Sequence, residues 1–244
     1  ALQTMNIPIL TMEGYEADDI LGTVAKRCQA EGIEVSVVSG DRDLLQLADT
    51  HIKIRIPKTS KGSTQIYDYY PEDVKEQYQV TPTEFIDVKA LMGDTSDNIP
   101  GVPSIGEKTA TNLIVSYGSI ENAYAHVDEI KPPRAQKALS EYYDMAQMSK
   151  ELATICITCP IPFSYEEALI GNLYTPEAFK FMKRMEFKSI LNRFDSASME
   201  DKENGPQKSF KEVTDKKEAE KIFKAAEKAA VTGLQLITGS RAKV

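Results

Sequence analysis

The sequence predicts an α/β unit followed by an all-helical unit. Three observations indicate this order: an amphipathic pattern over residues 17–31, a run rich in β-branched residues at 33–39, and the alternating isoleucines of HIKIRIP. Apolar residues spaced three or four apart predict a helix, whereas β-branched runs and strict alternation predict strands. From residue 71 to residue 194 the apolar patterns have the helical period. We therefore expect an α/β unit over residues 1–70 and a helical unit over residues 71–194.

Local signals mark where several of these elements begin and end. Gly32 stops the first helix, and Gly40 follows the strand at 33–39, which we expect to be buried. The carboxyl end of such a strand is where open α/β sheets bind ligands. The stretch TPTE at 81–84 is a capping box with proline at the first helical position. STQIYDYY is the expected neighbour of the HIKIRIP strand. Further helices are expected in GEKTATNLIVSYG, RAQKALSEYYDMAQMSKELATI, TPEAFKFMKRMEF and KSILNRF.

The C-terminal part of the chain differs in character. Residues 195–209, DSASMEDKENGPQKS, lose apolar content and predict a linker. TDKKEAEKIFKAAEKAA predicts one more helix, and VTGLQLITG predicts the start of a strand. Because this last piece is too short to form a core, we interpret residues 210–244 as the truncated start of another domain.

Composition limits the class of protein. The 244 residues are 41% hydrophobic and 27% charged, which is enough to bury a core. We find no apolar run long enough to cross a bilayer and no signal peptide. The start, ALQTMNIPIL, resembles the middle of a domain, so we expect a fragment. Three cysteines, an odd number, suit a reducing cytoplasm. The net charge of −8 neither excludes nor suggests a DNA partner.

Carboxylates are concentrated in three short stretches. In GYEADDILG they precede or open the first helix, in SGDRD they follow the strand at 33–39, and in GDTSDN they follow the capped helix. Residues two apart on an extended backbone point the same way, and residues three apart lie on one side of a helical turn. The seven candidate metal ligands are Glu16, Asp18, Asp19, Asp41, Asp43, Asp94 and Asp97.

The spacing of these acids predicts how they are presented. Asp41 and Asp43 are expected on an extended backbone with Arg42 on the other side, and Asp94 and Asp97 on one helical turn. Any one acid could instead cap a helix, which is the simpler explanation for each taken singly. A cap needs one acid, however, and each stretch has two or three. Hard divalent ions prefer oxygen ligands, and two ions about 4 Å apart can clamp a phosphodiester. Seven carboxylates therefore predict two or more Mg²⁺ ions.

A phosphatase is an alternative for one of these stretches. VSVVSGDRDLL resembles the strand-then-DxD start of haloacid-dehalogenase-like phosphatases, in which the first aspartate is a nucleophile. That pattern usually continues with Gly-Thr or Gly-Val, whereas Leu44 and Leu45 follow here. Nor is an upstream acidic cluster expected in that family. Turnover of a small phosphate monoester would identify a phosphatase.

A glycine-rich hairpin follows the third acidic stretch. Residues 101–106, GVPSIG, form a tight turn that opens a helix at GEKT. Glycines let a backbone approach a ligand, and the free N–H groups of a helix start bind anions. Lys108 lies in the first turn, where the helix dipole disfavours a cation unless a phosphate is near. An ordinary corner closed by Pro and Gly explains the segment equally well. The hairpin resembles the helix–hairpin–helix class, which contacts the phosphate backbone of DNA rather than its bases.

Three stretches, in this order, resemble a known family. GYEADDILG, VVSGDRDLLQL and LMGDTSDNIPGVPSIGEKTA look like the 5′-nuclease (5′→3′ exonuclease) domain of bacterial DNA polymerase I, which is related to the flap endonucleases. The resemblance covers residues 1 to about 194. It implies a partial PIN-like nuclease core followed by a helix–three-turn–helix DNA-binding subdomain. It also implies that residues 210–244 lead into a 3′→5′ exonuclease-like domain.

The resemblance also implies chemistry and partners. It implies Mg²⁺- or Mn²⁺-dependent cleavage of 5′ flaps and primers in DNA replication and repair. The protein would be a monomeric, cytoplasmic, nucleoid-associated bacterial protein with its nuclease covalently linked to a polymerase. All seven acids match metal-ligand positions, and Asp18, Asp19, Asp41 and Asp43 are given catalytic roles. A K⁺ ion at carbonyls of the hairpin is also implied. The residues that match the duplex contact are Gly101, Val102, Ser104, Ile105, Gly106, Lys108 and Thr109.

The chain departs from the family pattern at its start. Family members begin with a strand that ends in an essential aspartate, followed by a second aspartate and a basic helical arch. None of these three features is found upstream of GYEADDILG. We therefore expect the isolated chain to bind metal weakly and to cleave poorly. A non-catalytic DNA-binding module with vestigial acids stays an alternative, which a 5′-flap assay with an Asp41→Ala variant separates from a nuclease.

Overall fold

A computed structural model describes residues 1–60, 62–194 and 213–228. The described chain divides into two units by its internal contacts. The larger unit consists of Leu2 and residues 6–172, and the smaller one of Ala1, residues 3–5 and the described residues from Leu173 onward. The predicted linker at 195–209 and the predicted strand VTGLQLITG lie outside the described residues.

The larger unit contains a three-stranded sheet that carries the candidate site at one end. Strand β1 (Val35–Val38) pairs in parallel with β2 (Ile52–Ser60), which pairs antiparallel with β3 (Ser63–Tyr69). The predicted alternation of HIKIRIP is confirmed, because its three isoleucines are buried against the core while the residues between them are half-buried. The predicted pairing of STQIYDYY with this strand is also confirmed.

Strand β1 is less buried than its sequence predicts. Val37 is buried, but Val38 is 62% exposed and Ile33, just before the strand, is 41% exposed. Within the described residues, β1 pairs only with β2, so its other edge has no neighbour in the sheet. A β-branched run predicts a strand that is buried on both faces within a sheet. Here one edge of β1 is not covered by a described strand.

The remaining regular elements of the described chain are helices, and most of them lie where the sequence predicts. The predicted stretch RAQKALSEYYDMAQMSKELATI forms two helices that meet at Tyr142. Ten α-helices are described: α1 (Ala17–Ala30), α2 (Pro71–Tyr78), α3 (Pro82–Met92), α4 (Glu107–Tyr117), α5 (Ile120–Ala125), α6 (Pro133–Glu141), α7 (Tyr143–Ala153), α8 (Pro176–Arg184), α9 (Lys188–Leu191) and α10 (Lys216–Ala226). Short 3₁₀ helices span Gln3–Met5, Asp43–Leu47 and Val127–Glu129. In the described ranges, no helix combines the length and the apolar character that a membrane span requires.

The capping box predicted at residues 81–84 is present. The Thr81 hydroxyl accepts a hydrogen bond from the Glu84 N–H at 3.3 Å, and the Glu84 carboxylate accepts one from the Thr81 N–H at 2.7 Å. Helix α3 therefore begins at Pro82, as the sequence predicts. It packs against α4, α7 and the 3₁₀ helix Asp43–Leu47, so its position fixes the elements around the site.

A buried carboxylate, that of Asp87, connects three helices of the larger unit through a hydrogen bond and an ion pair. Asp87 of α3 is 4% exposed, and its carboxylate accepts a hydrogen bond from the Ile120 N–H at 3.1 Å. The same carboxylate pairs with Lys150 of α7 at 2.8 Å. Burial raises the pKa of Asp87, and the Lys150 ammonium opposes that effect. A buried carboxylate of this kind is tolerated because both of these groups satisfy it.

An extended segment, residues 155–161, lies along α1 and is held by side chains spaced four apart on that helix. The Asp19 carboxylate accepts a hydrogen bond from the Cys156 N–H at 2.8 Å. The Thr23 hydroxyl accepts one from the Cys159 N–H at 3.0 Å and donates to the Cys156 carbonyl at 3.3 Å. Arg27 donates to two further carbonyls of the segment at 2.8 and 3.0 Å. This pattern satisfies backbone groups that have no strand partner.

Replacing Thr23 with valine is expected to lower the free energy of unfolding by about 1–3 kcal/mol. Valine keeps the shape of the buried side chain, which is 1% exposed, but leaves the Cys159 N–H unsatisfied. Urea unfolding measures the change. Thr83→Val, on an exposed position of α3, is the matched control and should change stability little. Equal stabilities of the two variants would contradict the role of Thr23.

The smaller unit has its own apolar cluster. Ala178 and Met182 of α8 are buried with Phe194, and Met5 packs against them. The Thr175 hydroxyl accepts a hydrogen bond from the Ala178 N–H at 3.1 Å and donates to the Thr4 carbonyl at 3.0 Å. The N-terminal 3₁₀ turn thus belongs to the same unit as α8. The predicted helix in TDKKEAEKIFKAAEKAA is confirmed as α10.

Candidate metal centre and nucleic-acid interface

A cavity of about 1100 Å³ lies where the chain leaves the carboxyl end of β1. Open α/β sheets bind ligands at this end of their strands. The walls come from the turn after β1, from α3 and the loop that follows it, and from the first turns of α4. Its lining residues include Asp41, Arg42, Asp43, Lys89, Asp94, Ser96, Asp97, Glu107, Lys108 and Asn112. Two of the three acidic stretches and the start of the hairpin helix therefore share one cavity.

The first acidic stretch forms the N-terminal cap of α1. The Asp19 carboxylate accepts a hydrogen bond from the Glu16 N–H at 3.1 Å, and its other oxygen accepts from the Cys156 N–H. Glu16 is the N-cap residue. Asp19 thus has a structural task in addition to the predicted metal contact, because it joins α1 to the 155–161 segment.

Asp18 links this stretch electrostatically to the second one. Burial raises its pKa from the ordinary 3.8 to about 6, and repulsion from Asp41, Asp43, Glu16 and Asp19 adds to the rise. Carboxylates affect one another's pKa in this way only when they lie close together. The structure therefore brings Asp18 near Asp41 and Asp43. Among the described residues, however, the acids whose oxygens converge closely enough to share an ion are Asp43, Asp94 and Asp97.

The raised pKa of Asp18 predicts a pH dependence of stability in the absence of metal. Since the pKa in the folded state exceeds the unfolded value, the folded protein binds more protons between pH 3.8 and 6, and stability falls as pH rises through that window. Asp18→Asn removes this loss. The variant should be about 1 kcal/mol more stable than the wild type at pH 7.5, after discounting for the partial exposure of the group.

Urea unfolding in EDTA at pH 4 and pH 7.5 measures this difference. Asp128→Asn, which changes an exposed acid on the 3₁₀ helix Val127–Glu129, is the control. A gain at pH 7.5 that persists undiminished at pH 4 would show that repulsion of the ionised carboxylate is not the cause.

The second acidic stretch is bent rather than extended, so the predicted geometry is wrong. Arg42 has helical dihedral angles, φ −81° and ψ −17°, and Asp43 opens the 3₁₀ helix Asp43–Leu47. The Asp41 carboxylate accepts a hydrogen bond from the Asp43 N–H at 2.9 Å. The chain turns here because the leucines that follow are buried in the core. Asp41 and Asp43 still line one cavity, but Arg42, expected on the other side, lines it too.

The third acidic stretch is a closed loop rather than the predicted helical turn. Helix α3 ends at Met92, and Gly93 has a φ of +73°. Asp94 and Ile99 then exchange backbone hydrogen bonds of 2.8 and 2.9 Å, and the Asp94 carboxylate accepts another from the Ser96 N–H at 2.8 Å. This loop, and not helical spacing, puts Asp94 and Asp97 on one side.

Asp43, Asp94 and Asp97 form the acidic group that best fits a divalent ion. One carboxylate oxygen from each lies within 4.8 Å of the others. Asp97 is exposed, whereas the other two are partly buried. Burial raises the pKa of Asp43, and the proximity of Asp94 and Asp41 contributes to that rise. Oxygen donors that converge in this way are the ligands that Mg²⁺ and Mn²⁺ prefer.

Lys89 is a member of this group that the sequence analysis missed. Its ammonium lies 2.8 Å from the Asp43 carboxylate and also pairs with the Asp94 carboxylate, and its side chain is 11% exposed. Lys89 lowers the pKa of Asp94 to about 2, and the Ser96 N–H contributes. Burial opposes ionisation of Lys89, but the two carboxylates outweigh it and raise the lysine pKa. A lysine inside the apolar stretch VKALM was the available signal, because buried lysines require acidic partners.

The hairpin residues divide into buried and exposed positions. Val102 and Ile105 are each 3% exposed and belong to the core, and the Gly101 N–H donates to the buried Ser149 hydroxyl at 3.1 Å. Any DNA contact of Val102 and Ile105 is therefore limited to their backbone. The exposed positions are Ser104, Gly106 and Lys108, with Thr109 half-buried.

Arg134 adds a second cation at the hairpin that the sequence analysis did not identify. Its guanidinium donates a hydrogen bond to the Ser104 hydroxyl at 3.0 Å. Ser104 itself has a φ of +72°, which places it at the outer bend of the turn. Lys108 lines the same cavity as Asp43, Asp94 and Asp97. Lys108 and the acidic group are therefore close neighbours in the larger unit.

Together, the fold and the site define an α/β protein with a candidate metal centre beside a helical hairpin. Two family models match adjoining parts of the chain. Residues 1–79 match the N-terminal resolvase-like domain of 5′-3′ exonucleases, and residues 80–175 match their C-terminal SAM fold. The chain belongs to the 5′-3′ exonuclease family. This membership decides against the phosphatase alternative.

The chain is similar to DNA polymerase I of several bacteria. The chain is 44% identical to DNA polymerase I of Bacillus caldotenax over 200 aligned residues. This alignment covers 82% of the chain and 23% of that protein. It is 42% identical to DNA polymerase I of Bacillus subtilis over 216 aligned residues. This alignment covers 88% of the chain and 24% of that protein. The chain thus spans about a quarter of the length of these relatives.

Solved structures confirm the fold. T5 5′-exonuclease with bound divalent zinc matches with a TM-score of 0.54 at 23% identity, over 74% of this chain and 62% of that one. A second match is the bacteriophage T5 D15 flap endonuclease in a pseudo-enzyme-product complex with DNA and metal ions. Its TM-score is 0.54 at 23% identity, and the match covers 76% of this chain and 64% of that one. The predicted α/β core followed by a helical subdomain is therefore confirmed as the fold of this nuclease class.

Proposed function

We propose that this chain forms part of a metal-dependent, structure-specific 5′ nuclease that removes flaps and primers from DNA. One observation carries the proposal: the Asp43–Asp94–Asp97 group and Lys108 of the hairpin line a single cavity. A phosphate held by the hairpin would thus lie close to the acids. Relatives of the chain are DNA polymerases I, and the T5 enzyme with this fold was solved with DNA and metal ions, which supports the same assignment.

The metal ions we propose are Mg²⁺ or Mn²⁺, two or more of them. Asp43, Asp94 and Asp97 would hold one, and the coupled acids around Asp18 and Asp41 would hold another. The donors are all hard oxygens, and cations relieve the repulsion that raises the pKa of Asp18. Bound divalent ions supply an activated water and neutralise charge on a phosphodiester.

The residues of the chain have separable tasks in this proposal. Asp18, Asp41 and Asp43 would hold the metal ions at the reacting phosphate. Asp19 and Glu16, besides their predicted metal contacts, keep the start of α1 in place through their capping bonds. The exposed N–H groups at the start of α4 and Lys108 bind a phosphate of the duplex. A K⁺ ion at the hairpin carbonyls would screen the same phosphate. These contacts recognise the DNA backbone and not its bases.

The setting of this activity follows from the relatives. We propose that the nuclease is covalently linked to a polymerase, as in DNA polymerase I, and acts in the bacterial cytoplasm during primer removal and repair. The partner is then DNA with a 5′ flap, a nick or an RNA primer. A duplex-binding module without cleavage is the other outcome that the following test allows.

The test is cleavage of a 5′-labelled flap duplex by the polypeptide as the cell makes it. We expect product with Mg²⁺, none with EDTA, and a large loss in Asp41→Ala. Asp128→Asn, an exposed acid outside the cavity, should leave cleavage unchanged. Duplex binding without cleavage, unaffected by Asp41→Ala, would replace the nuclease proposal with the binding module.

A further inference from the structure

We propose that Lys89 is a positioning residue that serves as the built-in counter-ion of the Asp43–Asp94–Asp97 group, and that a divalent ion must compete with its ammonium for the same carboxylates. The inference rests on the proposed function, since it takes this group as the metal site. It adds that the chain itself already supplies a cation to the site. Lys89 thereby sets both the geometry of the empty group and its affinity for metal.

The contacts place Lys89 at the centre of the group. Its ammonium bridges two acids that come from different elements, Asp43 from the 3₁₀ helix after β1 and Asp94 from the loop after α3. One oxygen of each acid is used by the lysine, and the other oxygen of Asp94 accepts the Ser96 N–H. Both carboxylate oxygens of Asp94 therefore already have a donor, with which an incoming ion must compete.

The surroundings of Lys89 hold the ammonium in this position. Lys89 is 9% exposed, and Ala90 and Leu91, which follow it on α3, are fully buried. The helix backbone therefore cannot shift without opening the core. The two acidic partners of the lysine, Asp43 and Asp94, both line the cavity. A buried cation needs such partners, and these carboxylates in turn need a cation.

Two consequences follow for metal binding. Without an ion, Lys89 offsets the repulsion among carboxylates that lie within 4.8 Å of one another, so the group stays assembled. With an ion, the ammonium becomes a like charge next to the metal, which weakens binding. Removing the charge should therefore tighten metal binding while destabilising the metal-free protein. If Lys89 only maintained structure, its replacement would weaken metal binding as well as destabilise the metal-free protein.

The test compares Lys89→Met and Lys89→Arg with the wild type. Methionine keeps an unbranched apolar stem without charge, and arginine keeps the charge. Calorimetric titration with MnCl₂ should show binding about tenfold tighter in Lys89→Met and close to wild type in Lys89→Arg. The melting temperature in EDTA should fall in Lys89→Met, and the rise on adding MnCl₂ should be larger than in the wild type.

Lys150→Met is the matched control. Lys150 also pairs with a buried acid, Asp87, but it does not line the cavity. This variant should lose stability in EDTA without any change in Mn²⁺ affinity. If Lys89→Met does not fold in EDTA, Lys89→Gln, which is neutral with a polar end, is titrated instead and must also bind Mn²⁺ more tightly.

Failure of this inference is distinguishable from failure of the proposed function. If the wild type binds Mn²⁺ and Asp97→Asn weakens that binding, the group is a metal site. Unchanged or weaker binding in the neutral Lys89 variants then overturns the counter-ion role alone. If Asp97→Asn leaves Mn²⁺ binding unchanged, the metal site itself is misassigned, and the inference is overturned with it.

Discussion

Replacing Asp43 with asparagine is expected to lower flap cleavage by more than about 100-fold. Outer-shell partners of metal ligands typically contribute about 10–100-fold, and Asp43 is proposed as a ligand itself. Its carboxylate faces the cavity and pairs with the Lys89 ammonium, and it is repelled by Asp41 and Asp94. Asparagine preserves the size of the side chain but has only one oxygen and no charge. Initial rates on a 5′-flap duplex at saturating Mg²⁺ measure the effect.

A second readout separates loss of metal from loss of fold. The melting temperature of the wild type should rise on adding Mg²⁺, and that rise should shrink in Asp43→Asn. Asp128→Asn serves as the control, because it removes one negative charge from an exposed position outside the cavity. Full cleavage by Asp43→Asn with an undiminished response to Mg²⁺ would exclude Asp43 as a ligand.

Gly101→Ala is expected to have the largest effect on stability, a loss of about 3 kcal/mol or more. Gly101 has a φ of +66°, which costs an L-residue about 1–2 kcal/mol. A Cβ there would also lie 2.5 Å from the Gly93 nitrogen and 2.7 Å from its α-carbon. Both obstructing atoms are backbone, so the strain cannot be relieved by a rotamer change.

Gly106→Ala is the matched control for this position. Gly106 is the N-cap residue of α4 with a φ of −97°, and nothing lies within 4 Å of the position its Cβ would take. Its replacement should cost about 1 kcal/mol or less, because alanine is a poorer N-cap residue than glycine but meets no obstruction here. Urea unfolding of both variants in EDTA measures the difference. A Gly101→Ala variant as stable as Gly106→Ala would show that the two backbone strands do not cross as closely as described.

The crossing of Gly93 and Gly101 also matters for the site. Gly93 precedes Asp94, and Gly101 begins the hairpin that leads to Lys108, so this contact fixes the acidic loop against the phosphate-binding turn. We therefore expect Gly101→Ala to weaken both Mn²⁺ binding and duplex binding wherever it remains folded. The glycine-rich character of the hairpin has two causes, only one of which is access to a ligand.

Local pattern was sufficient for most elements of the fold. The isoleucine alternation of β2, the start of α3 at its capping box and the helix that opens at residue 107 depend on neighbours a few residues away. The three motifs also sufficed to predict the family. Each of these features is encoded by side chains that interact within about one turn or one strand pair.

What the sequence determined by itself is therefore the type of each element and the identity of the acids. Only the tertiary structure decided how those acids are presented. Asp43 is aimed by a 3₁₀ turn that buried leucines impose, Asp94 by a loop that closes on Ile99, and both by Lys89 from α3. Chain spacing cannot reveal these contacts, because burial and charge pairing depend on elements that are distant in sequence and adjacent only after folding.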